Sequence, residues 1–419
     1  MTFFVFDNAR VFDGLNGECA EGMSVAVEGD RIREVSDRPV RLADAPRIDL
    51  AGRTLMPGLI DLHIHAYASD VDLQKVDAMG QPYRTAHAVR MLGHALDCGF
   101  TTVRDVGGGD WSLARALGDG LIRGPRFFYG GRVISMTGGH GDFRAAHVEG
   151  DPHRHAMCSC GANNSLSVIA DGVDQCLAAV REQFRRGAHM IKLMASGGVV
   201  SPTDPIWLDH YREAEIRAIV DECVARRSYA TAHCHTPSAI RRCVEFGVRG
   251  IEHGTLIDAE TAALVAAKGA HIVPTMSIVD ALAKHGRAAK LPADILSKIE
   301  EVRVHATSGL ETMRTAGVKL GFGTDLVGHV YTAQAGEFLL RRDVFSPLEI
   351  LRQATSTGAE ILQHQGRLGC VTADAYADLI VVDGDPLKDI GLLAADGAKL
   401  PVIMRGGEMI RNQIGYRAG

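Results

Sequence analysis

The stretch MPGLIDLHIH, residues 56–65, ends an apolar run with two histidines that lie two positions apart. Residues i and i+2 of a β-strand face the same side, so His63 and His65 point the same way. Two imidazoles on one side of a strand end can bind one metal ion. The stretch therefore predicts a buried strand that carries a metal-binding pair at its carboxyl end.

Seven further β-rich runs follow this one and alternate with helical patterns such as AHAVRMLGHALDCG. This alternation is typical of βα units around a parallel sheet, and eight units favour a (β/α)8 barrel. In that fold the catalytic side chains lie at the carboxyl ends of the strands. The eight runs cover residues 59–65, 99–107, 127–135, 189–198, 229–235, 249–254, 271–276 and 318–325.

Short strand patterns occur at both ends of the chain, in FFVFDNARVFDG (3–14) and MSVAVEGD (23–30), and again in ADLIVVDGDP (377–386) and PVIMRGGEMIRN (401–412). Neither end alone has enough strands to bury a core. We therefore predict a small β-sandwich domain built from residues 1–56 and 367–419, with the barrel domain at 57–366. The long irregular stretch 136–172 is predicted to overhang the active face as a lid or substrate loop.

Composition excludes several classes of protein. The 419 residues carry a formal net charge of −6, which argues against a basic nucleic-acid binder. The apolar runs are shorter than the roughly 18 residues of a membrane span. The start, MTFFVFDNARVFDG, shows no basic secretory region, so a cytoplasmic location is expected. Nine scattered cysteines indicate free thiols rather than a disulfide framework.

Polar residues with metal-ligand chemistry lie at the carboxyl ends of five predicted strands: His63, His65, Lys192, His233, His253 and Asp325. Burial of Lys192 in MIKLM favours the neutral amine, which can react with carbon dioxide to give an anionic carbamate. The carbamate has two oxygens and can bridge two divalent metal ions, most simply Zn²⁺. A hydroxide between the ions would be the nucleophile, with Asp325 as general base and later proton donor to the leaving nitrogen.

The expected ligand sets divide between the two ions. The first ion takes His63, His65, the Lys192 carbamate and Asp325. The second ion takes the same carbamate together with His233 and His253.

The motifs MPGLIDLHIH, TTVRD, KLMASGG, GIEHGT, GFGTD and ADLIVVDGDPL resemble the amidohydrolase superfamily over essentially the whole chain. Within it, the chain is similar to the group of imidazolonepropionase-like proteins, Xaa-Pro and carboxypeptidase-type dipeptidases and ochratoxin-hydrolysing amidases. The resemblance implies a binuclear, zinc-type hydrolase that cleaves the amide next to a C-terminal amino acid. It also assigns His140 to polarising the scissile carbonyl, and homo-oligomers are common in the group.

Substrate contacts are expected outside the metal ligands. Tyr211 and Arg212 are candidates for the substrate carboxylate, His235 for a contact beside His233, and His329 for specificity. Apolar loop residues such as Met136, Phe143 and Trp207 favour hydrophobic or aromatic amides, including ochratoxin-type phenylalanine amides. His87 and His94 are expected on a helix surface.

Other interpretations of the sequence stay open. The run HRHAMCSC, with His153, His155, Cys158 and Cys160, resembles a second zinc site, although its spacing is unusual and a packed lid loop is favoured. A mononuclear cyclic-amide hydrolase or deaminase is the main alternative, but CHTPSAIRR after the fifth run lacks the carboxylate that such relatives carry. A non-catalytic binding protein is a third possibility.

The expected partner is a small amide or dipeptide, without nucleic acid or membrane. Neither a nucleotide-binding loop nor a GxSxG serine nucleophile is present in the sequence.

Overall fold

The computed structural model describes residues 3–42, 45–144, 166–201, 204–289 and 291–416. The strands, in chain order, are β1 (Phe3–Val11), β2 (Ala20–Glu28), β3 (Arg31–Ser36), β4 (Arg47–Asp49), β5 (Thr54–Pro57), β6 (Leu59–Ile64), β7 (Phe100–Asp105), β8 (Arg126–Tyr129), β9 (Val133–Ser135), β10 (Ser167–Ile169), β11 (Ile191–Met194), β12 (Ala230–Cys234), β13 (Gly250–His253), β14 (His271–Val273), β15 (Lys319–Leu320), β16 (Leu379–Val382), β17 (Val402–Arg405) and β18 (Glu408–Asn412).

The helices are α1 (Leu73–Ala78), α2 (Gln81–Asp97), α3 (Trp111–Gly118), α4 (Val173–Arg185), α5 (Glu213–Ala225), α6 (Pro237–Glu245), α7 (Ala259–Ala267), α8 (Met276–His285), α9 (Ala293–Thr315), α10 (Glu337–Arg341), α11 (Pro347–Gln353) and α12 (Ser356–Ile361), with 3₁₀ helices at Gly328–Gly336 and Ile390–Ala394. Among the helices in the described ranges, none combines the length and the apolar character that crossing a bilayer demands.

Strands from both ends of the chain form one sheet, in the order β18-β17-β16-β5-β1-β2-β3, with β4 beside β1. The two ends meet where β5 pairs antiparallel with β16, with Met56 opposite Ile380. Buried residues of both ends pack into a hydrophobic cluster of their own, which includes Phe6, Ile48 and Val381. The structure thus joins the two ends as the sequence indicates, while the sandwich arrangement and the domain limits at 57 and 366 stay predictions.

The middle of the chain alternates parallel strands with helices, so the protein has the α/β content that the sequence predicts. One sheet has the order β10-β9-β11-β12-β13-β14-β15 and the other has the order β6-β7-β8. Backbone hydrogen bonds also connect both edges of the smaller sheet to the larger one. The amide of Leu62 donates to the carbonyl of Phe322 at 2.8 Å on one side, and the amide of His189 donates to Tyr129 at 2.8 Å on the other.

Each of the eight predicted runs contains a strand, but two runs differ in detail. Residues 127–135 are interrupted at Gly130 and Gly131 and contribute both β8 and β9. Gly131 has a φ of +74°, and a Cβ there would lie 2.3 Å from Oε1 of Gln183. The last run shortens to β15, and beyond this strand Gly323 packs against His63, where a Cβ would lie 2.9 Å from the His63 Cβ.

Candidate metal centre

The ends of β6 and β15 bring three metal-binding side chains together. Nε2 of His63 lies 3.3 Å from Nε2 of His65. Oδ1 of Asp325 lies 3.3 Å from Nε2 of His63 and 3.2 Å from Nε2 of His65. These donor atoms converge on one point, which is the arrangement that a divalent ion needs.

Each histidine of this pair is oriented through its other ring nitrogen. Nδ1 of His63 donates to the Glu252 carboxylate at 2.7 Å, and Nδ1 of His65 donates to the carbonyl of Gly107 at 3.0 Å. Nε2 of each ring therefore faces the Asp325 carboxylate and is the atom that would bind a metal ion. Burial by itself would lower the pKa of His65, but the neighbouring Asp325 raises it above its usual value. The donor set therefore fits a bound metal.

Asp325 is held in its ionised, carboxylate form. Burial by itself raises the pKa of an acid, but the imidazoles of His63 and His65 hold the pKa of Asp325 well below its usual range. The backbone of Asp325 is left-handed, with a φ of +57°. This sparsely populated conformation directs the side chain back towards β6, whose His63 carbonyl accepts from the Asp325 amide at 2.7 Å.

The second predicted pair lies beside the first. The ring of His233 at the end of β12 is 4.5 Å from the ring of His253 at the end of β13, and His253 is 5.0 Å from His63. Nδ1 of His253 lies 2.7 Å from the hydroxyl of Thr275. Burial is the main reason that the pKa of His233 lies well below its usual value, and the neighbouring imidazoles lower it further. Both rings are therefore neutral at pH 7 and can act as ligands.

Lys192 enters the same cavity from β11 and is only 1% exposed. Burial lowers the pKa of its ammonium group, while Glu252 and then Asp325 oppose that effect. The lowered pKa favours the neutral amine that the sequence analysis anticipates.

His140 also reaches this cavity, from the loop that follows β9. Nδ1 of His140 is 2.6 Å from Oγ of Ser201, and its ring is 4.3 Å from the ring of His233. Burial lowers the pKa of His140 to about 3. A Cβ at Gly198 would lie 2.2 Å from this ring, so the glycine of KLMASGG makes room for the imidazole.

Two buried charged residues that the sequence analysis did not select support the candidate metal centre through contacts below the ligand His63. Glu252 and Arg104 are both fully buried, and Nη2 of Arg104 donates to Oε1 of Glu252 at 2.6 Å. Burial opposes ionisation of Glu252, yet Arg104 and His63 hold its pKa well below the usual range. The signal was in the sequence, because RGIEHG and TTVRD each carry a charge inside an apolar strand.

Two further residues position the loops of the site. The Asp61 carboxylate accepts from the hydroxyl of Thr324 at 2.7 Å and from Nε2 of Gln334 at 2.8 Å, which ties the loop of Asp325 to β6. Nζ of Lys298 on α9 donates to the carbonyls of Gly198, at 3.2 Å, and Ser201, at 3.1 Å, beside His140. Sequence spacing gives no signal for Lys298, since it lies about 100 residues from its partners.

The four predicted substrate contacts lie in different places. His235 lines the cavity, with Nδ1 3.3 Å from the hydroxyl of Thr255. Tyr211 is buried elsewhere and donates to the carbonyl of Ala170 at 3.1 Å. Arg212 and His329 are exposed, and neither lines the cavity. The structure therefore brings only His235 of this group to the metal ligands, and the roles of all four stay predictions.

The cavity around these residues has about 930 Å³ of space, open solvent at its mouth included. Among the described residues, its walls are mainly apolar: Val71, Leu73, Phe143, Leu166, Val199, Val200, Ile278, Leu282, Ile299, Val302 and Val327. Phe143 is thus a wall residue, as predicted, whereas Trp207 is 72% exposed and lies outside the wall. The residues of HRHAMCSC, His153, His155, Cys158 and Cys160, lie outside the described residues.

Comparison with known proteins agrees with this geometry. The sequence model of the amidohydrolase family matches residues 54–409. The chain belongs to the amidohydrolase family. The amidohydrolase is 31% identical over 371 residues to the ochratoxinase of Aspergillus niger, a match that covers 85% of this chain and 75% of that protein. Enzymes of this superfamily are metal-dependent, and family and relatives together identify the chain as a hydrolase.

Solved structures resemble the amidohydrolase over nearly its full length. A prolidase complexed with N-methylphosphonate-L-proline is 44% identical, with a TM-score of 0.95, and the match covers 98% of this chain and 100% of that one. A Xaa-Pro dipeptidase with bound methionine is 25% identical, with a TM-score of 0.87 and the same coverage.

Proposed function

We propose that the amidohydrolase cleaves the amide bond to a C-terminal amino acid, in N-acyl amino acids or dipeptides, with two divalent metal ions. The ochratoxinase, prolidase and Xaa-Pro dipeptidase relatives support this substrate class. The single observation that carries the proposal is the burial of Lys192 in one cavity with Asp325 and the four histidines that are proposed as ligands. A mononuclear site needs no such lysine.

The fold that we infer for this centre is the closed (β/α)8 barrel of the sequence analysis. Two observations support closure: the parallel direction of the central strands and the backbone hydrogen bonds that join both edges of the β6-β7-β8 sheet to the larger sheet. In a closed barrel, the carboxyl ends of β6, β11, β12, β13 and β15 face one mouth. That is where the six metal ligands lie.

Lys192 is proposed to carry a carboxylate bridge. Its neutral Nζ attacks the carbon of carbon dioxide, an N–C bond forms, and one proton leaves to solvent. The product is an anionic carbamate with two oxygens. One oxygen would face His63, His65 and Asp325 and the other His233 and His253. Zn²⁺ is the ion that best fits this set of nitrogen and oxygen donors.

The bound ions would supply a water molecule of lowered pKa and polarise the scissile carbonyl. Asp325, held as a carboxylate, takes the proton of the attacking water and later delivers it to the leaving nitrogen. His140 aims an N–H at the carbonyl oxygen, because Ser201 can donate its hydroxyl to Nδ1 and leave the ring proton on Nε2. His235, the predicted contact that lines the cavity, is proposed to donate to the substrate carboxylate.

The walls of the cavity favour a neutral, hydrophobic acyl group. Asp325 is the one carboxylate among the described lining residues, and it belongs to the metal centre. The ammonium group of a dipeptide would therefore lose water without gaining an ion pair on these walls. We expect N-acetyl-L-phenylalanine and N-acetyl-L-proline to be hydrolysed with a higher kcat/KM than the dipeptides with the same C-terminal residue.

The experiment combines metal content with amino-acid release from N-acyl amino acids and dipeptides with prolyl, aromatic, basic and acidic C-termini. We expect two ions per chain and release of the C-terminal amino acid. One ion without release would instead favour the mononuclear cyclic-amide hydrolase or deaminase. Absence of bound metal would favour the third possibility, a non-catalytic binding protein.

Lys192→Ala tests the bridge within the same experiment. The variant should lose metal, and hydrolysis should fall by roughly 10³-fold, since several kcal/mol of transition-state stabilisation disappear. Added acetate should restore part of the metal content and part of the hydrolysis, because its two oxygens fit the space of the lost carbamate. Lys319→Ala, which removes a strand lysine paired with Glu360, is the matched control. Retention of two ions by Lys192→Ala would contradict the bridge.

A further inference from the structure

A second group of metal-ligand side chains lies away from the catalytic cavity. It consists of His94, Cys98 and Asp396, whose donor atoms all lie within 4.8 Å of one another. Nε2 of His94 is 3.5 Å from Sγ of Cys98. None of the three lines the cavity of the catalytic centre. His94 is half-buried rather than on the open helix surface that the sequence suggests.

The backbone fixes the positions of these three side chains. His94 and Cys98 are one helical turn apart at the end of α2, so they share a face of that helix. Asp396 follows the 3₁₀ helix Ile390–Ala394 and has a left-handed backbone with a φ of +47°. Arg411 holds the Asp396 loop against α2, since its guanidinium donates to the Gly397 carbonyl at 2.8 Å and to Asp97 at 3.1 Å.

The imidazole of His94 is already oriented as a ligand. The ring is hydrogen-bonded to the backbone of Thr332, and its centroid is 5.4 Å from the ring of Tyr331 in an edge-on contact. A neutral imidazole has one N–H to donate. With that N–H directed at Thr332, the other nitrogen presents a lone pair, as in most metal-binding histidines.

We propose that His94, Cys98 and Asp396 form a binding site for Zn²⁺ or a similarly thiophilic divalent cation, separate from the catalytic centre. Imidazole, thiolate and carboxylate are all zinc ligands, and the exposed side of Asp396 leaves room for water as a fourth. The bound ion would link the end of α2 to the segment that leads into β17. Its role is therefore structural.

Binding exchanges a proton for the metal. A cysteine thiol is protonated at neutral pH, whereas the thiolate is the form that binds a metal ion. The S–H bond breaks, a metal–sulfur bond forms, and one proton goes to solvent. Affinity should therefore rise about tenfold for each pH unit in the neutral range.

Titration of the metal-depleted full-length chain with Co²⁺ tests the site without measuring activity. Cobalt bound to a thiolate gives a charge-transfer band in the near ultraviolet, whereas the proposed catalytic ligands contain no sulfur. We expect this band to saturate at one thiolate-bound ion per chain. Cys98→Ser should abolish it, and His94→Ala should weaken cobalt binding by roughly tenfold or more. Cys223→Ser, at a buried cysteine on α5, is the matched control.

The pair Cys158→Ser with Cys160→Ser separates this site from the HRHAMCSC segment. The double variant should keep the band. A band that is missing from the wild-type chain, or that survives in Cys98→Ser and is lost in the double variant, would overturn the proposal. If Cys98→Ser fails to fold, the site is tested with Asp396→Asn instead. Its side chain is exposed, and unchanged cobalt affinity in this variant would also overturn the proposal.

Discussion

Histidine 140 shows how a single residue acquires a role from its surroundings. Its ring lies 4.3 Å from His233, while Nδ1 contacts Ser201 at 2.6 Å. The low pKa that burial causes keeps the ring neutral at every pH at which the enzyme would work. It can therefore donate one hydrogen bond without carrying a charge that would repel the metal ions. At this scale, the proposed role of His140 requires the tautomer with its proton on Nε2, which a hydrogen bond donated by the Ser201 hydroxyl to Nδ1 would favour.

His140→Ala should lower kcat by roughly 10²–10³-fold, because one donor to the developing oxyanion is lost. Metal content should stay as in the wild type, since His140 is not among the proposed ligands. Steady-state kinetics on an N-acyl amino acid, with metal analysis of the same sample, checks both points. His305→Ala, an exposed histidine on α9, is the control. Turnover near that of the control would show that another group stabilises the oxyanion.

At the scale of elements, one hydrogen-bonded network connects four strands beneath the candidate metal centre. His63 of β6 donates to Glu252 of β13, which in turn accepts from Arg104 of β7. Thr231 of β12 also donates to Glu252, at 2.5 Å. Charges this deeply buried are stable only when paired, so the network fixes both the strands and the tilt of the His63 ring.

Glu252→Gln should destabilise the fold and the metal site together. The amide still accepts from His63, but Arg104 loses the charge that compensates it. We expect the free energy of unfolding to fall by about 3 kcal/mol and metal affinity to fall at least about tenfold. Denaturant unfolding and competition with a chelator measure the two effects. The exposed Glu245→Gln on α6 is the control, and equal unfolding energies in both variants would contradict this account.

At the scale of the whole molecule, the fold buries an unusual set of neutral imidazoles. Burial lowers the pKa of each of these histidines, to about 3 for three of them and well below the usual value for the other two: His140, His235, His271, His233 and His253. The unfolded chain protonates them near pH 6.5, whereas the folded chain does not. Proton uptake therefore favours the unfolded state in acid.

The sign of the pH dependence follows from this difference. Above pH 6.5 both states are neutral at these histidines, so stability is unaffected. As the pH falls below 6.5, the slope approaches about 1.4 kcal/mol per pH unit for each such histidine. We expect the Tm of the metal-free protein to fall steeply between pH 6.5 and pH 4. In His140→Ala, the free energy of unfolding should depend less steeply on pH, because about one proton fewer is taken up on unfolding. A Tm independent of pH in this range would contradict the prediction.

Local patterns in the sequence were sufficient to predict the strands and to propose the type of ligand. The eight apolar runs each contain a strand, because buried parallel strands need continuous apolar residues. His63, His65, Lys192, His233, His253 and Asp325 could be selected for the same reason, since a polar residue at the end of a buried strand requires a partner. The interruption at Gly131 could not be predicted, because it depends on Gln183, about 50 residues away.

The sequence by itself therefore determined the order of the α/β elements and the candidate ligands, which depend on short-range periodicity and residue type. It also indicated the family, through the resemblance of its motifs to those of amidohydrolases. Only the tertiary structure decided which side chains meet. It placed Glu252 and Arg104 beneath His63, Lys298 beside the His140 loop and Asp396 next to Cys98, and it left Tyr211, Arg212 and His329 away from the cavity. These contacts join residues that are far apart in the chain, and chain closure rather than local preference brings them together.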